Sequence, residues 1–209
     1  MQIKICGITR REDAQQALDL GANAIGCVFY AGSARAVSVE QAREVSLGIR
    51  GLGVMVGLFV NPREDEVREA LASVPLNMLQ FHGQESPEFC RQFGLPYIKA
   101  VPMSESVDLA EFGSRFSDAR ALLLDSVVQG QFGGTGKRFD WSWIPDSMKH
   151  HMMLAGGLCA DSVGEAIRVV RPCAVDVSSG VEDAPGEKSE QKMRDFIRAV
   201  RNAERELNS

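Results

Sequence analysis

Eight times along this 209-residue chain, an apolar run of strand length gives way to a stretch with helical spacing, a rhythm few architectures accommodate. The runs fall at 3–8, 24–30, 54–60, 76–81, 97–101, 121–125, 152–155 and 174–177. Helical stretches follow at 10–20, 39–50, 61–73, 87–93, 107–116, 161–170 and 189–206, with a short helical segment around Trp141 after the sixth run. Local chemistry sets these limits. Ala14, Ala17 and Leu18 recur at helical spacing before the stop at Gly21, and Ser38 is a candidate N-cap. Pro62 suits a first helical turn, and Met193, Phe196, Ile197 and Val200 form one apolar stripe. Runs such as Leu122-Leu123-Leu124 show no polar alternation, so the strands are expected to be parallel and covered on both faces.

Two architectures satisfy that pattern. A doubly wound open sheet usually carries its glycine-rich phosphate turn after an early strand, whereas a closed barrel carries its phosphate site after the last ones. Here the glycines cluster late, in Gly133-Gly134-Thr135-Gly136, Ala155-Gly156-Gly157-Leu158 and Ser178-Ser179-Gly180-Val181. The expectation is a single-domain (β/α)8 TIM barrel spanning 1–209.

Composition narrows the partners. With 44% hydrophobic and 24% charged residues the chain reads as a soluble globular protein, and a net charge of −5 supplies no general field to attract nucleic acid or an anionic membrane. No apolar stretch approaches the ~18 residues that span a bilayer. Cys6, Cys27, Cys90, Cys159 and Cys173 are widely spaced, with neither a CxxC pair nor a metal-ligand spacing, and the chain enters its first strand without a secretory leader. A reducing, cytoplasmic setting is expected, with no disulfide framework, metal or other cofactor.

Residues ending barrel strands outrank the rest as site candidates, because the loops at those ends build the site. That rule selects Cys6, Arg35, His82, Asp125 and Asp176. A carboxylate closing the apolar run 122–124 is exposed to desolvation, which suits a general acid, although a cap or an ion-pair partner fits the same position. Cys6 is either a packed thiol or a base acting as thiolate. Arg35 is a candidate carboxylate clamp or a solvated loop residue, and His82 a loop histidine or a base. The late glycines let backbone N–H groups approach phosphate oxygens, or simply make tight turns. His150 and His151 precede the seventh strand, at the opposite rim, and Trp141 and Trp143 are expected to pack the short sixth helical segment on the barrel.

Taken together, Lys4-Ile5-Cys6-Gly7-Ile8-Thr9, Gln80-Phe81-His82-Gly83, Leu124-Asp125, the three glycine segments, Phe139-Asp140-Trp141 and Asp176 to Glu182 resemble the phosphoribosylanthranilate isomerase family over the whole chain. The resemblance implies an Amadori rearrangement of a phosphoribosyl-anthranilate in tryptophan biosynthesis, without a cofactor, by a monomer or homodimer. It implies Asp125 as the acid that opens the furanose ring and Cys6 as the base that removes the C2 proton. Arg35, His82 and Asp176 would bind the substrate, Arg35 by its carboxylate, and Gly133, Gly134, Gly156, Gly157, Ser179 and Gly180 would bind the phosphate. One departure stands out: the family's Ser-Pro-Arg reads Ser33-Ala34-Arg35 here, which frees the φ that proline would fix. Another sugar-phosphate isomerase or lyase on the same barrel, or a binding barrel without activity, are the competing readings.

Overall fold

Eight parallel strands close into a ring in chain order, β1 against β2 and so on to β8, which returns to β1. They are β1 (Gln2–Cys6), β2 (Ala24–Val28), β3 (Val54–Phe59), β4 (Met78–Phe81), β5 (Tyr97–Met103), β6 (Ala121–Ser126), β7 (Met152–Leu154) and β8 (Ala174–Val177). The computed structural model describes residues 1–49, 51, 53–126, 139–149 and 152–208. Among these, the α-helices are α1 (Arg11–Asp19), α2 (Val39–Ser46), α3 (Glu64–Ser73), α4 (Pro87–Arg91), α5 (Leu109–Arg115), α6 (Ala160–Val170) and α7 (Glu190–Leu207). The closed parallel barrel expected from the alternation is the fold.

Strand parity divides the core in two. Ile3 and Ile5 of β1 pack outward with the helices, as do Leu79 and Phe81 of β4, where the Phe81 ring meets Phe59, Phe89, Phe93 and Tyr97. The alternate side chains fill the barrel, apolar on one side with Ile98, Ala100, Leu123 and Met153. Lys4 and Gln80 are buried in the same interior row, so the barrel centre is polar where it approaches the mouth.

Capping chemistry explains several helix starts. Ser38 accepts from the Gln41 N–H while the Gln41 side chain returns to the Ser38 N–H, a complete capping box. Pro87 stands in the first turn of α4 behind the Ser86 cap.

Several limits differ from expectation: β1 stops at Cys6 rather than at 8, β4 starts at Met78 rather than at 76, and α2 stops at Ser46 rather than at 50. Helix α3 begins at Glu64 rather than at 61, because Asn61 is in the left-handed region (φ 46°) and is used to tie loops: its N–H goes to Glu85 and its Oδ1 takes the Gln84 N–H. Strands β2 and β3 stop at Val28 and Phe59, two residues and one residue short, whereas β5 runs on to Met103, paired with β6 through Pro102↔Asp125 and Met103↔Ser126. The segment at Trp141–Trp143 is a 3-10 turn, with both indoles partly buried against the core. A short antiparallel ribbon, β9 (Glu182–Ala184) and β10 (Glu187–Lys188), intervenes before α7 and was not expected; Gly186 (φ 83°) makes its turn.

Candidate active site

Cys6 ends β1 and points into the mouth of the barrel. Its register partner on β2 is Gly26, and a Cβ there would lie 2.9 Å from the Cys6 sulfur and 3.3 Å from Lys4 Cε. A side chain at 26 and a thiol at 6 therefore compete for one space. Lys4, two residues earlier on the same face, is also buried; its Nζ is 2.8 Å from Asp176 Oδ1.

These charges act on one another. Burial pushes the Cys6 thiol up and Asp176 adds to the push, while the Lys4 and Lys188 ammonium groups pull it back without cancelling it. The resting residue is a thiol. Burial works against the Lys4 charge, but Asp176 and Cys6 outweigh it and hold Lys4 above its usual range.

Asp125 sits near the end of β6 with Oδ1 accepting the Ser126 N–H at 2.8 Å. Its Oδ2 is 3.3 Å from His82 Nε2, and His82 Nδ1 is 3.1 Å from Gln80 Nε2. Gly156 follows β7 with φ 81°, and a Cβ there would come within 2.4 Å of Ser126 Oγ and 3.1 Å of Asp125 Oδ1. Both backbone and space call for glycine beside the carboxylate.

Arg35 reaches the mouth from the loop after β2 and is gripped bidentately by Glu182, Nε to Oε1 at 2.8 Å and Nη2 to Oε2 at 2.7 Å. Lys188 Nζ holds the same carboxylate, 2.6 Å from Oε1, and also donates to the Ser178 carbonyl at 3.2 Å. Burial alone would raise the Glu182 carboxyl, yet Arg35 and Lys188 outweigh it and keep it below the usual carboxylate range; burial lowers Lys188. The ribbon thus does from a distance what a proline at 34 would do locally: it limits where Arg35 can point.

One cavity collects these groups: Cys6, Arg35, His82, Asp125 and Asp176 line it together with Gly156, Gly157 and Ser179. One side of it is an apolar wall of Val28, Tyr30, Leu58 and Val60. Gly180 also has a packing role, since a Cβ on it would fall 2.0 Å from the Leu158 carbonyl oxygen; it lets the loop after β8 press against the loop after β7. Gly133, Gly134, His150 and His151 lie outside the described residues. Sequence reasoning missed Lys4, Gln80, Glu182 and Lys188. The first two carried a signal, a polar residue inside an apolar strand two positions before a selected one.

The chemistry available is that of a thiol and a carboxyl group facing one space, next to a cation and to glycine-rich loops suited to an anion. Among the described residues no cluster of histidine, cysteine or carboxylate side chains could hold a metal ion, and no helix is long and apolar enough to cross a membrane.

Comparison with known proteins agrees with that chemistry. Residues 3–199 match the family described as N-(5'phosphoribosyl)anthranilate (PRA) isomerase. The chain is similar to N-(5'-phosphoribosyl)anthranilate isomerase of Dechloromonas aromatica (strain RCB), 48% identical over 206 residues that cover 99% of each. Its structure is similar to phosphoribosyl anthranilate isomerase from Thermotoga maritima, with a TM-score of 0.88 and 39% identity over 97% of this chain and 99% of that one. Another structure of a phosphoribosyl anthranilate isomerase, in complex with reduced 1-(o-carboxyphenylamino)-1-deoxyribulose 5-phosphate, superposes with a TM-score of 0.85 and 37% identity, at 97% and 99% coverage.

Proposed function

The chain belongs to the N-(5'-phosphoribosyl)anthranilate isomerase family, and from that premise we propose how its own side chains carry the reaction. The enzyme isomerises N-(5-phosphoribosyl)anthranilate to 1-(2-carboxyphenylamino)-1-deoxyribulose 5-phosphate in tryptophan biosynthesis.

Asp125 gives a proton to the furanose ring oxygen, the C1–O bond breaks, and the nitrogen lone pair completes the C=N bond of an open-chain Schiff base. Cys6, as thiolate, removes the proton from C2. The enolamine so formed tautomerises to the ketone. The division of labour needs one protonated and one deprotonated group in a single cavity, and Lys4 and Lys188 are the positive charges that favour the thiolate as it forms.

Arg35 takes the anthranilate carboxylate on the guanidinium edge that Glu182 leaves open, and the aryl ring lies on the apolar wall of Val28, Tyr30, Leu58 and Val60. His82 and Asp176 border the ribosyl part. Gly133, Gly134, Gly156, Gly157, Ser179 and Gly180 form the phosphate end, where backbone N–H groups come close to the ligand. The whole chain acts as one barrel domain, as a monomer or homodimer, in the reducing cytoplasm that free cysteines suit.

The observation that carries this reading is that Cys6 and Asp125, on strands three places apart around the closed barrel, line the same cavity. Loss of the intrinsic fluorescence of phosphoribosylanthranilate on adding purified protein tests substrate and reaction together. Binding without turnover would replace the isomerase with a phosphate-ligand-binding barrel.

A further inference from the structure

Gln80 lies two residues before His82 on the interior row of β4 and is fully buried. Its Nε2 faces His82 Nδ1 at 3.1 Å. An amide nitrogen only donates, so the ring nitrogen it meets accepts and the imidazole proton belongs on Nε2. Nε2 stands 3.3 Å from Asp125 Oδ2, within reach of that oxygen by a small turn of the ring, while the other carboxylate oxygen takes the Ser126 N–H.

Two further observations give this row of three a purpose. Gln80 Oε1 has no hydrogen-bond partner among the described residues. A buried amide with an unmet acceptor costs stability, so glutamine is a poor choice here for packing and a good one for holding an imidazole. Behind the strand wall, Lys99 Nζ clamps the carbonyls on either side of His82, Phe81 at 3.3 Å and Gly83 at 2.6 Å, and pairs with Glu85 at 2.9 Å. Glu85 in turn takes the N–H groups of Gly83 and Asn61. The loop that carries His82 is thereby fixed from the helix side as well.

We propose that Gln80 is a positioning residue for the acid step: it fixes His82 as the Nε2–H tautomer, so that an N–H meets the Asp125 oxygen left negative when the acid proton departs. The proposal rests on Asp125 being the acid. The proton passes from Asp125 to the ring oxygen, which also receives the C1–O electron pair, and the substrate nitrogen supplies the pair that forms C=N. His82 keeps its proton throughout and acts as a donor.

Imidazole 15N spectra read the tautomer directly, and with three histidines in the chain the His82 signal is assigned by its loss in His82→Asn. The wild type is expected to show Nε2–H. Gln80→Glu, whose carboxylate only accepts, moves the proton to Nδ1, and Gln80→Leu leaves the ring in both forms. In turnover, Gln80→Leu lowers kcat roughly tenfold with KM within about twofold, the scale of one lost hydrogen bond. Its Tm is unchanged or higher because the orphaned oxygen is gone, and in a His82→Asn background it costs no further kcat. A His82 spectrum unchanged in both Gln80 variants overturns the proposal, as does an equal kcat loss with and without His82. If Gln80→Leu fails to fold, the spectrum of the isosteric Gln80→Glu decides. Full turnover in Asp125→Asn would instead remove the acid assignment while leaving the tautomer result intact, so the two failures are distinct.

Discussion

Lys4 and Asp176 face each other across the seam where the barrel closes, Nζ to Oδ1 at 2.8 Å, as register partners on β1 and β8. The pair lies one strand layer below Cys6, so the bond that helps close the ring also sets the charge beneath the base.

Lys4→Met leaves a buried carboxylate without its partner and should lower unfolding stability by about 3–5 kcal/mol, measured by denaturant titration. The folded Lys4 is held above its ordinary value of 10.5, so its contribution is present in full below that value and fades as pH rises through the folded one. The contribution of the Lys4 charge is therefore constant from about pH 6 to 9 and is lost only in strongly alkaline solution.

Cys6→Ser and Asp125→Asn should each lower turnover by at least ~100-fold, the scale of a positioned acid or base, with near-wild-type rates in both sinking the assignment. Because Cys6 rests as a thiol raised above its ordinary value of 9.0, kcat/KM on its base-dependent limb should still be climbing beyond that value. A profile flat between about pH 7 and 9 would speak against a resting thiol as the base.

Gly26→Ala tests the space above β1. The added methyl meets the Cys6 sulfur at 2.9 Å. Overpacking of that kind costs roughly 1–3 kcal/mol of stability, and the displaced sulfur should lower kcat more than it raises KM. Wild-type kcat in a folded Gly26→Ala protein would mean that Cys6 need not hold its position.

Arg35→Ala should weaken substrate binding by roughly 10- to 100-fold, as expected for a lost charge-assisted pair, while inorganic phosphate, bound at the glycine loops, is held almost as before. Titration calorimetry with the two ligands distinguishes these, and equal losses contradict the carboxylate role.

Glu182 gives the acid side of the stability curve. Its folded value lies below the ordinary 4.5, so its contribution is complete above 4.5 and is lost as pH falls through the folded value. Wild-type protein should lose stability over that interval, and Glu182→Gln, which has no charge to lose, should show a shallower slope in acid unfolding.

The barrel was legible because its rule is repeated: each unit restates the same switch from buried strand to amphipathic helix, and the differences lay in where elements start and stop and in the unforeseen ribbon of β9 and β10. Asn61 shows why. Its residue type and the following proline suit a helix start, yet a tertiary bond to Glu85 claims its N–H and moves the start to Glu64. In the site, Cys6, Arg35, His82, Asp125 and Asp176 were found by strand-end position, and they do share one cavity. The grip of Glu182 on Arg35 spans 147 residues and depends on how a ribbon folds back, which no local pattern encodes. Lys4 was readable in hindsight, as a charge inside an apolar strand at the same parity as Cys6.

Cys6, Arg35 and His82 belong to the first four β/α units, and Asp125, Gly156, Gly157 and Asp176 to the last four. Between them, at the turn after α4, Gly94 is exposed, with φ 73° and open space where a Cβ would stand. A chain severed at that turn is divided into two half-rings, each with bare strand edges and each holding half of the chemistry. Neither fragment can turn over substrate, and both are drawn to the other's edges. Isomerase activity on mixing them becomes a reporter of two molecules meeting, with a signal that starts from zero because no single piece owns both the acid and the base.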